Sequence, residues 1–324
     1  MDTNSFLQIC QIYNLGKLVE EAETIEGGLI HKMWRLKTNN GKYAIKELNS
    51  EIINKPNALE LFELSEAIAR QLNGKKIPAV TGLLVQGKAV QKISNSFVIV
   101  YPWIEGKILS TDAASPEQAF LIGKTIGEIH RINLDELQLQ NSPPNFFSNK
   151  HWQTLINNFK KTFPKKAFNF EKITQWNNDA EQFTKKLQLN WVISHGDIDQ
   201  KNVIWKNNNE PWIIDWEGVS KTNPGLEIVD AALNWGGLVA GEIDENSLKA
   251  VIKGYKDSGR LIKESVPDLL NGSVIKWLAW LEFNLQRALK SPDDSLVMNQ
   301  VENTFRNLDL ISENFERLTS LIDL

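Results

Sequence analysis

Short runs of β-type residues crowd the first third of the chain, and helix-period patterns fill most of the rest. Met33-Trp34-Arg35-Leu36 and Tyr43-Ala44-Ile45-Lys46-Glu47-Leu48 read as paired strands, because Thr38-Asn39-Asn40-Gly41 between them is a strong turn signal. Glu26-Gly27-Gly28-Leu29-Ile30-His31 reads as a glycine turn ahead of the first of them. The apolar run Ser96–Tyr101 suits a buried strand and stops at Pro102-Trp103-Ile104-Glu105-Gly106. Between these strands, residues 57–72 carry Leu61, Leu64, Ile68 and Leu72 at helical spacing, a face expected to pack on the sheet. Beyond residue 106, Ser115-Pro116-Glu117-Gln118 combines a capping Ser, Pro at the first helical position and a Gln that closes a capping box. Ala119, Ile122, Ile126 and Ile129 line one face of that helix, with Gly123 and Gly127 allowing a close neighbour. Asn141-Ser142-Pro143-Pro144 breaks the chain, and helical segments are expected at about 150–163 and 171–187. Val203-Ile204-Trp205 and Trp212-Ile213-Ile214 flank the polar run 206–210 and predict a hairpin. A late helix over 273–290 carries Val274, Trp277, Leu278, Leu281, Leu285 and Leu289 on one stripe.

The candidate chemistry clusters around that hairpin. Ser194-His195-Gly196-Asp197-Ile198-Asp199-Gln200-Lys201-Asn202 precedes it and Ile213-Ile214-Asp215-Trp216-Glu217 follows it. A hairpin places Asn202 and Asp215 side by side at its open end, where two ligands of one cation need to be. An Asp, an Asn five positions on and a second Asp are the groups that kinase-type phosphoryl transfer uses. One carboxylate accepts the hydroxyl proton, while an amide oxygen and another carboxylate hold Mg²⁺ on the phosphates.

His195, Gly196, Asp197, Asn202, Asp215 and Trp216 stand where the aminoglycoside phosphotransferase family has H-G-D, four variable residues and N, then a strand ending in D-[WF]. The chain resembles that family, which includes choline, homoserine and related small-molecule kinases. The resemblance implies an α+β, bilobal protein-kinase-like fold, with an antiparallel N-lobe sheet plus helix (1–104) and a mostly helical C-lobe (105–324). It implies Asp197 as catalytic base, Asn202 and Asp215 as magnesium ligands, and His195 as a brace for the loop. Gly27 and Gly28 would approach the nucleotide phosphates, where a Cβ would obstruct. Lys46 would contact the α- and β-phosphates, paired with Glu66 or, next in order, Glu63 from the following helix. Pro102 through its carbonyl and Ile104 through its N–H would read the adenine, since Pro102 has no N–H to give. Ile126-Gly127-Glu128-Ile129-His130 resembles the family's L-x-x-L-H helix and makes His130 a packing and hydrogen-bonding residue. Asp230, in Pro224-Gly225-Leu226-Glu227-Ile228-Val229-Asp230, is expected to cap a helix start. One departure stands out: Asp199-Gln200-Lys201 occupies the place where many members carry His-Pro.

Composition narrows the class without naming an acceptor. The 324 residues are 42% hydrophobic and 23% charged, ordinary for a globular chain with a sizeable core. A net charge of −4 leaves no basic footprint for nucleic acid. Residues 1–106 hold 12 Lys and Arg against 11 Asp and Glu, whereas 107–324 hold 24 against 29, an acidic excess that suits a cationic acceptor. A single cysteine, Cys10, excludes an internal disulfide. The absence of a basic leader or an 18-residue apolar run leads to the expectation of a cytoplasmic protein with no membrane partner. The expected activity is phosphorylation of a hydroxyl on a small, amine-bearing acceptor, aminoglycoside-like ahead of choline, ethanolamine or homoserine, using ATP (or GTP) and Mg²⁺. Glu217, Asp230 and Glu282 are the candidate acids for an aminoglycoside-like acceptor. Trp216, Trp235, Trp277 and Trp280 are the candidate cage for choline or ethanolamine, with a homoserine-type metabolite as a further option. A protein kinase is disfavoured, because no D-F-G or A-P-E follows the loop. The rival of another class is a non-catalytic nucleotide-binding protein on the same fold.

Overall fold

A computed structural model describes residues 1–25, 30–110, 114–133, 146–187 and 190–323. In chain order the elements begin with α1 (Thr3–Ile12), β1 (Glu23–Ile25), β2 (Lys32–Thr38), β3 (Gly41–Glu47), α2 (Ser50–Ile53) and α3 (Ala58–Gly74). There follow β4 (Val90–Ile93), β5 (Ser96–Pro102), β6 (Lys107–Ile108), α4 (Pro116–His130), α5 (Asn149–Thr162), α6 (Glu171–Lys186), β7 (Val192–Ser194), β8 (Val203–Trp205) and β9 (Pro211–Ile213). The last are β10 (Ser220–Thr222), α7 (Pro224–Trp235), α8 (Glu245–Asp257), α9 (Val266–Lys290), α10 (Ser295–Glu313) and α11 (Phe315–Leu321). They form two compact units. One comprises Met1–Ile108, His195–Ile198 and Asn202–Val219; the other comprises Leu109–Ser194, Asp199–Lys201 and Ser220–Leu324. No helix among the described residues is long and apolar enough to cross a membrane.

The first unit is built on an antiparallel sheet of order β1-β2-β3-β5-β4. Successive side chains of a strand point to opposite faces, so Ile45, Val98 and Val100 join Phe6, Ile9 and Cys10 of α1 in one core, while Ile99 joins Phe62 of α3 in another. Lys46 therefore lies opposite Ile45, on the α3 side. That helix does not bury the expected face. Phe62, Ser65, Glu66, Ala69 and Leu72 are buried, as is Ile68, but Leu61 is 57% exposed and Leu64 only half-buried. A buried Glu and Ser within the inward row hide that row from a reading based on aliphatic spacing.

The expected hairpin forms as β8 and β9, with Val203 opposite Ile213, and β6 pairs with its outer edge. Ile213 is also tied to the segment after α3. Its N–H donates to the Pro78 carbonyl at 2.7 Å, and its carbonyl accepts from the Val80 N–H at 2.8 Å. The hairpin is thus anchored on both sides within this unit.

In the second unit, β7 pairs antiparallel with β10, and helices make up most of the remainder. The Ser115–Gln118 capping box is present, with both of its reciprocal bonds. Gly123 lets α4 lie against α8: a Cβ there would come within 1.9 Å of the Val251 carbonyl oxygen. The late helix starts earlier than expected, at Val266, behind a Ser265 cap and Pro267. Asp230 is not a cap. Pro224–Trp235 is already helical, Asn223 caps it, and Asp230 sits inside it with Lys276 Nζ at 2.9 Å. Asn141, Ser142, Pro143 and Pro144 lie outside the described residues.

Candidate active site

The loop from Ser194 to Asn202 turns sharply because Gly196 adopts φ +86°, a left-handed conformation costly for any residue with a Cβ. A Cβ at that position would also meet the Gly218 carbonyl oxygen at 2.5 Å. Gly196→Ala is therefore expected to lower the melting temperature and displace the neighbouring Asp197. Differential scanning fluorimetry together with an activity assay checks both, and a wild-type profile in both would contradict this account. His195, fully buried, braces the turn. Its Nε2 donates to the Ile214 carbonyl at 3.0 Å, its Nδ1 accepts from the Asp197 N–H at 3.3 Å, and its ring packs edge-on against Trp216.

Asn202 links the loop to the hairpin. Its amide nitrogen donates to the Asp197 carbonyl at 2.8 Å and to Asp197 Oδ2 at 2.9 Å, and its backbone carbonyl accepts from the Ile214 N–H at 3.0 Å. With Nδ2 turned to Asp197, Oδ1 is the atom of that amide left to face a cation. The next residue, Asp215, holds φ +65° and ψ +56°, a strained conformation for a residue with a side chain. Such strain persists where the surroundings hold the residue in place, and it is concentrated at functional sites.

Lys46 closes the cluster. Its Nζ is 2.6 Å from Asp215 Oδ1 and 2.6 Å from Glu217 Oε2, and the side chain is 7% exposed. Burial works against the ammonium, but the two carboxylates outweigh it and raise its pKa above the ordinary lysine value. Burial likewise pushes the Glu217 carboxyl up, but His31 and Lys46 overcome it and hold that group down at about 2. Two carboxylates and one ammonium leave the cluster with a net negative charge. It is an oxygen-rich site of the kind a hard divalent cation prefers.

The remaining expected site residues are placed as follows. Neither Glu66 nor Glu63 is bonded to Lys46. Glu66 accepts from the Gly82 N–H at 2.7 Å and the Tyr101 hydroxyl at 2.6 Å, whereas Glu63 accepts from the Ala89 and Val90 N–H groups, each at 3.0 Å. Of the two, Glu66 feels the Lys46 charge, although burial dominates and raises its pKa. Pro102 ends β5 opposite Tyr43, the Trp103 N–H donates to the Lys42 carbonyl at 3.2 Å, and the half-buried Ile104 follows. Gly27 and Gly28 lie outside the described residues. The sequence offers Glu217 only as a candidate acid for a cationic acceptor; its bond to Lys46 spans 171 positions, and no local pattern announces it.

The other nominated residues also have defined surroundings. His130 is buried between the Tyr255 hydroxyl at 2.9 Å and Glu227 Oε2 at 2.7 Å. Burial pushes the Glu227 carboxyl up, yet His130, Lys276 and the Ser194 hydroxyl outweigh it and hold it below the usual range. The three acids nominated for a cationic acceptor all have partners: Glu217 has Lys46, Asp230 has Lys276, and Glu282 has His151 Nε2 at 2.8 Å. Trp216 and Trp235 are core residues, 2% exposed each, while Trp277 and Trp280 are half-buried.

A comparison with curated protein sequences gives no match. Solved structures do share the fold. A spectinomycin phosphotransferase, crystallised with ADP and spectinomycin, superposes with a TM-score of 0.71 at 17% identity, over 96% of this chain and 98% of that one. The choline kinase of Cryptosporidium parvum Iowa II gives 0.64 at 14% identity over 98% of each chain. The ethanolamine kinase of Plasmodium vivax gives 0.60 at 18% identity, over 93% of this chain and 83% of that one. The model of the phosphotransferase enzyme family matches residues 21–261, and this chain, with its protein-kinase-like fold, belongs to that family.

Proposed function

We propose that this phosphotransferase moves the γ-phosphoryl group of ATP to a hydroxyl of a small, amine-bearing molecule. A single observation carries the reading: Asp197 is held by Asn202, the Asn202 carbonyl holds the Ile214 N–H just before Asp215, and Asp215 pairs with Lys46, all within one unit. Asp197 is the base that orients the acceptor hydroxyl and takes its proton, with its Oδ2 held by Asn202. Asn202 Oδ1 and Asp215, with Glu217 beside them, are hard oxygen donors that fit Mg²⁺. When bound, the ion neutralises charge across the transferred phosphate. Lys46 turns from the two carboxylates to the phosphates. Gly27 and Gly28 serve the phosphates, Pro102 and Ile104 the adenine, and Glu66 orders the strand behind Lys46. Positioning and electrostatics carry this chemistry without a covalent phosphoenzyme.

One observation favours the choline or ethanolamine end of the acceptor range over polycationic aminoglycosides. Glu217 and Asp230 already pair with lysines of this chain and Glu282 with His151, so a polycation would have to displace several side chains. The test is ADP release with Mg-ATP and a panel of aminoglycosides, choline, ethanolamine, homoserine and amino sugars, with Asp197→Asn alongside. Stimulation by one acceptor, lost in the variant, is expected. Equal stimulation in the variant would sink the assignment of Asp197.

A further inference from the structure

His31 is a buried residue that the mechanism above leaves unused. It stands immediately before β2, and its side chain is 4% exposed. Its surroundings set its position and tautomer. Nδ1 accepts from the Asn49 N–H at 2.9 Å, so that nitrogen is the unprotonated one and Nε2 carries the hydrogen. The Asn49 side chain bonds back to the Ile30 carbonyl at 3.1 Å, and the imidazole packs edge-on against Phe62. Nε2 is fully buried and has no well-aligned hydrogen bond among the described residues, although Glu217 Oε2 lies 3.1 Å away. A buried donor without an aligned acceptor is costly and rare in a native structure.

The reason lies in what Glu217 is doing. The same oxygen, Oε2, accepts from Lys46 Nζ at 2.6 Å, a shorter, charge-assisted bond that draws it away from His31. Resting on the functional reading above, we infer that His31 is a positioning residue that takes over Glu217 when Lys46 turns to the phosphates. Without His31, Glu217 would be left with neither donor at the moment a cation needs fixed carboxylates. With it, Glu217 exchanges one hydrogen bond for another and stays in place.

The test uses His31→Phe, His31→Gln, Glu217→Gln and the double variant His31→Phe/Glu217→Gln. Phe preserves packing against Phe62, and Gln restores a donor toward Glu217. The readout is Mn²⁺ affinity in the presence of a non-hydrolysable ATP analogue, by isothermal titration calorimetry, with melting temperature measured in parallel. His31→Phe is expected to weaken Mn²⁺ binding by about 10-fold, and His31→Gln to recover part of it. The double variant is expected to bind no worse than Glu217→Gln alone, because His31 acts through that carboxylate. Wild-type Mn²⁺ affinity in His31→Phe, or fully additive losses in the double variant, would overturn the inference. Wild-type protein that binds the analogue with no metal dependence would instead overturn the functional reading, and the inference with it.

Discussion

Asp197→Ala is expected to slow turnover roughly 10²–10⁴-fold, the usual contribution of a positioned general base, while nucleotide binding and melting temperature stay near wild type. The Asp197 carboxylate accepts from Asn202, whose amide nitrogen also bonds the Asp197 backbone carbonyl at 2.8 Å. Removing the carboxylate leaves that second bond in place, so Asn202 keeps its orientation. Lys46, Asp215 and Glu217 lie beyond Asn202 and keep their contacts. The loss should therefore appear in kcat, with little change in KM for the nucleotide. Steady-state kinetics alongside calorimetric titration with an ATP analogue separates the two. Near-normal kcat in this variant would move the base elsewhere.

The second large effect is on stability. Glu227→Ala should destabilise the fold by about 1–3 kcal/mol, the range for leaving a buried hydrogen-bonding group without its partner. Glu227 is 4% exposed, and its loss would strand His130, which joins α4 to α7 and, through Tyr255, to α8. Glu227→Gln retains an acceptor and should cost less. The pH dependence has a definite sign. The folded carboxyl is held below its ordinary value of 4.5, so its stabilising contribution is fully present above that pH and is lost as pH falls through the lower folded value. The gap between wild type and Glu227→Gln should thus be constant near neutrality and close on the acid side. Thermal melts across pH test both points, and a Glu227→Ala protein that melts like wild type would show that the network stabilises nothing.

Much of this molecule is legible locally. Val203–Trp205 and Pro211–Ile213 announce a hairpin through branched and aromatic residues around a polar turn, and Ser115–Gln118 announces a helix start through side-chain chemistry alone. The spacing from His195 to Asp215 is equally local, which is why Asp197, Asn202 and Asp215 could be nominated as a group. What stayed hidden depends on distant parts of the chain. The sequence points Lys46 to an acid on the next helix, yet its bonded partners come from beyond the hairpin. The buried face of α3 differs from the aliphatic stripe because its inward row carries Glu66, bonded by Gly82 and Tyr101, and Ser65, bonded to the Phe62 carbonyl, and periodicity shows neither. Asp230 and Glu227 lie three positions apart on one helix, and only the packing of α4 shows that the buried role falls to Glu227.

The pairing of Lys46 with Asp215 spans 169 positions, and this bears on how the protein is made. A ribosome adding about 5–20 residues per second delivers β3 many seconds before the hairpin that completes its unit. During that interval the sheet carries an ammonium destined for burial, with neither carboxylate yet synthesised, and the segment after α3 lacks the strand it will grip. The nascent first hundred residues therefore have a reason to stay open until Glu217 has emerged, and translation pauses before that point would lengthen their exposure to chaperones and proteases.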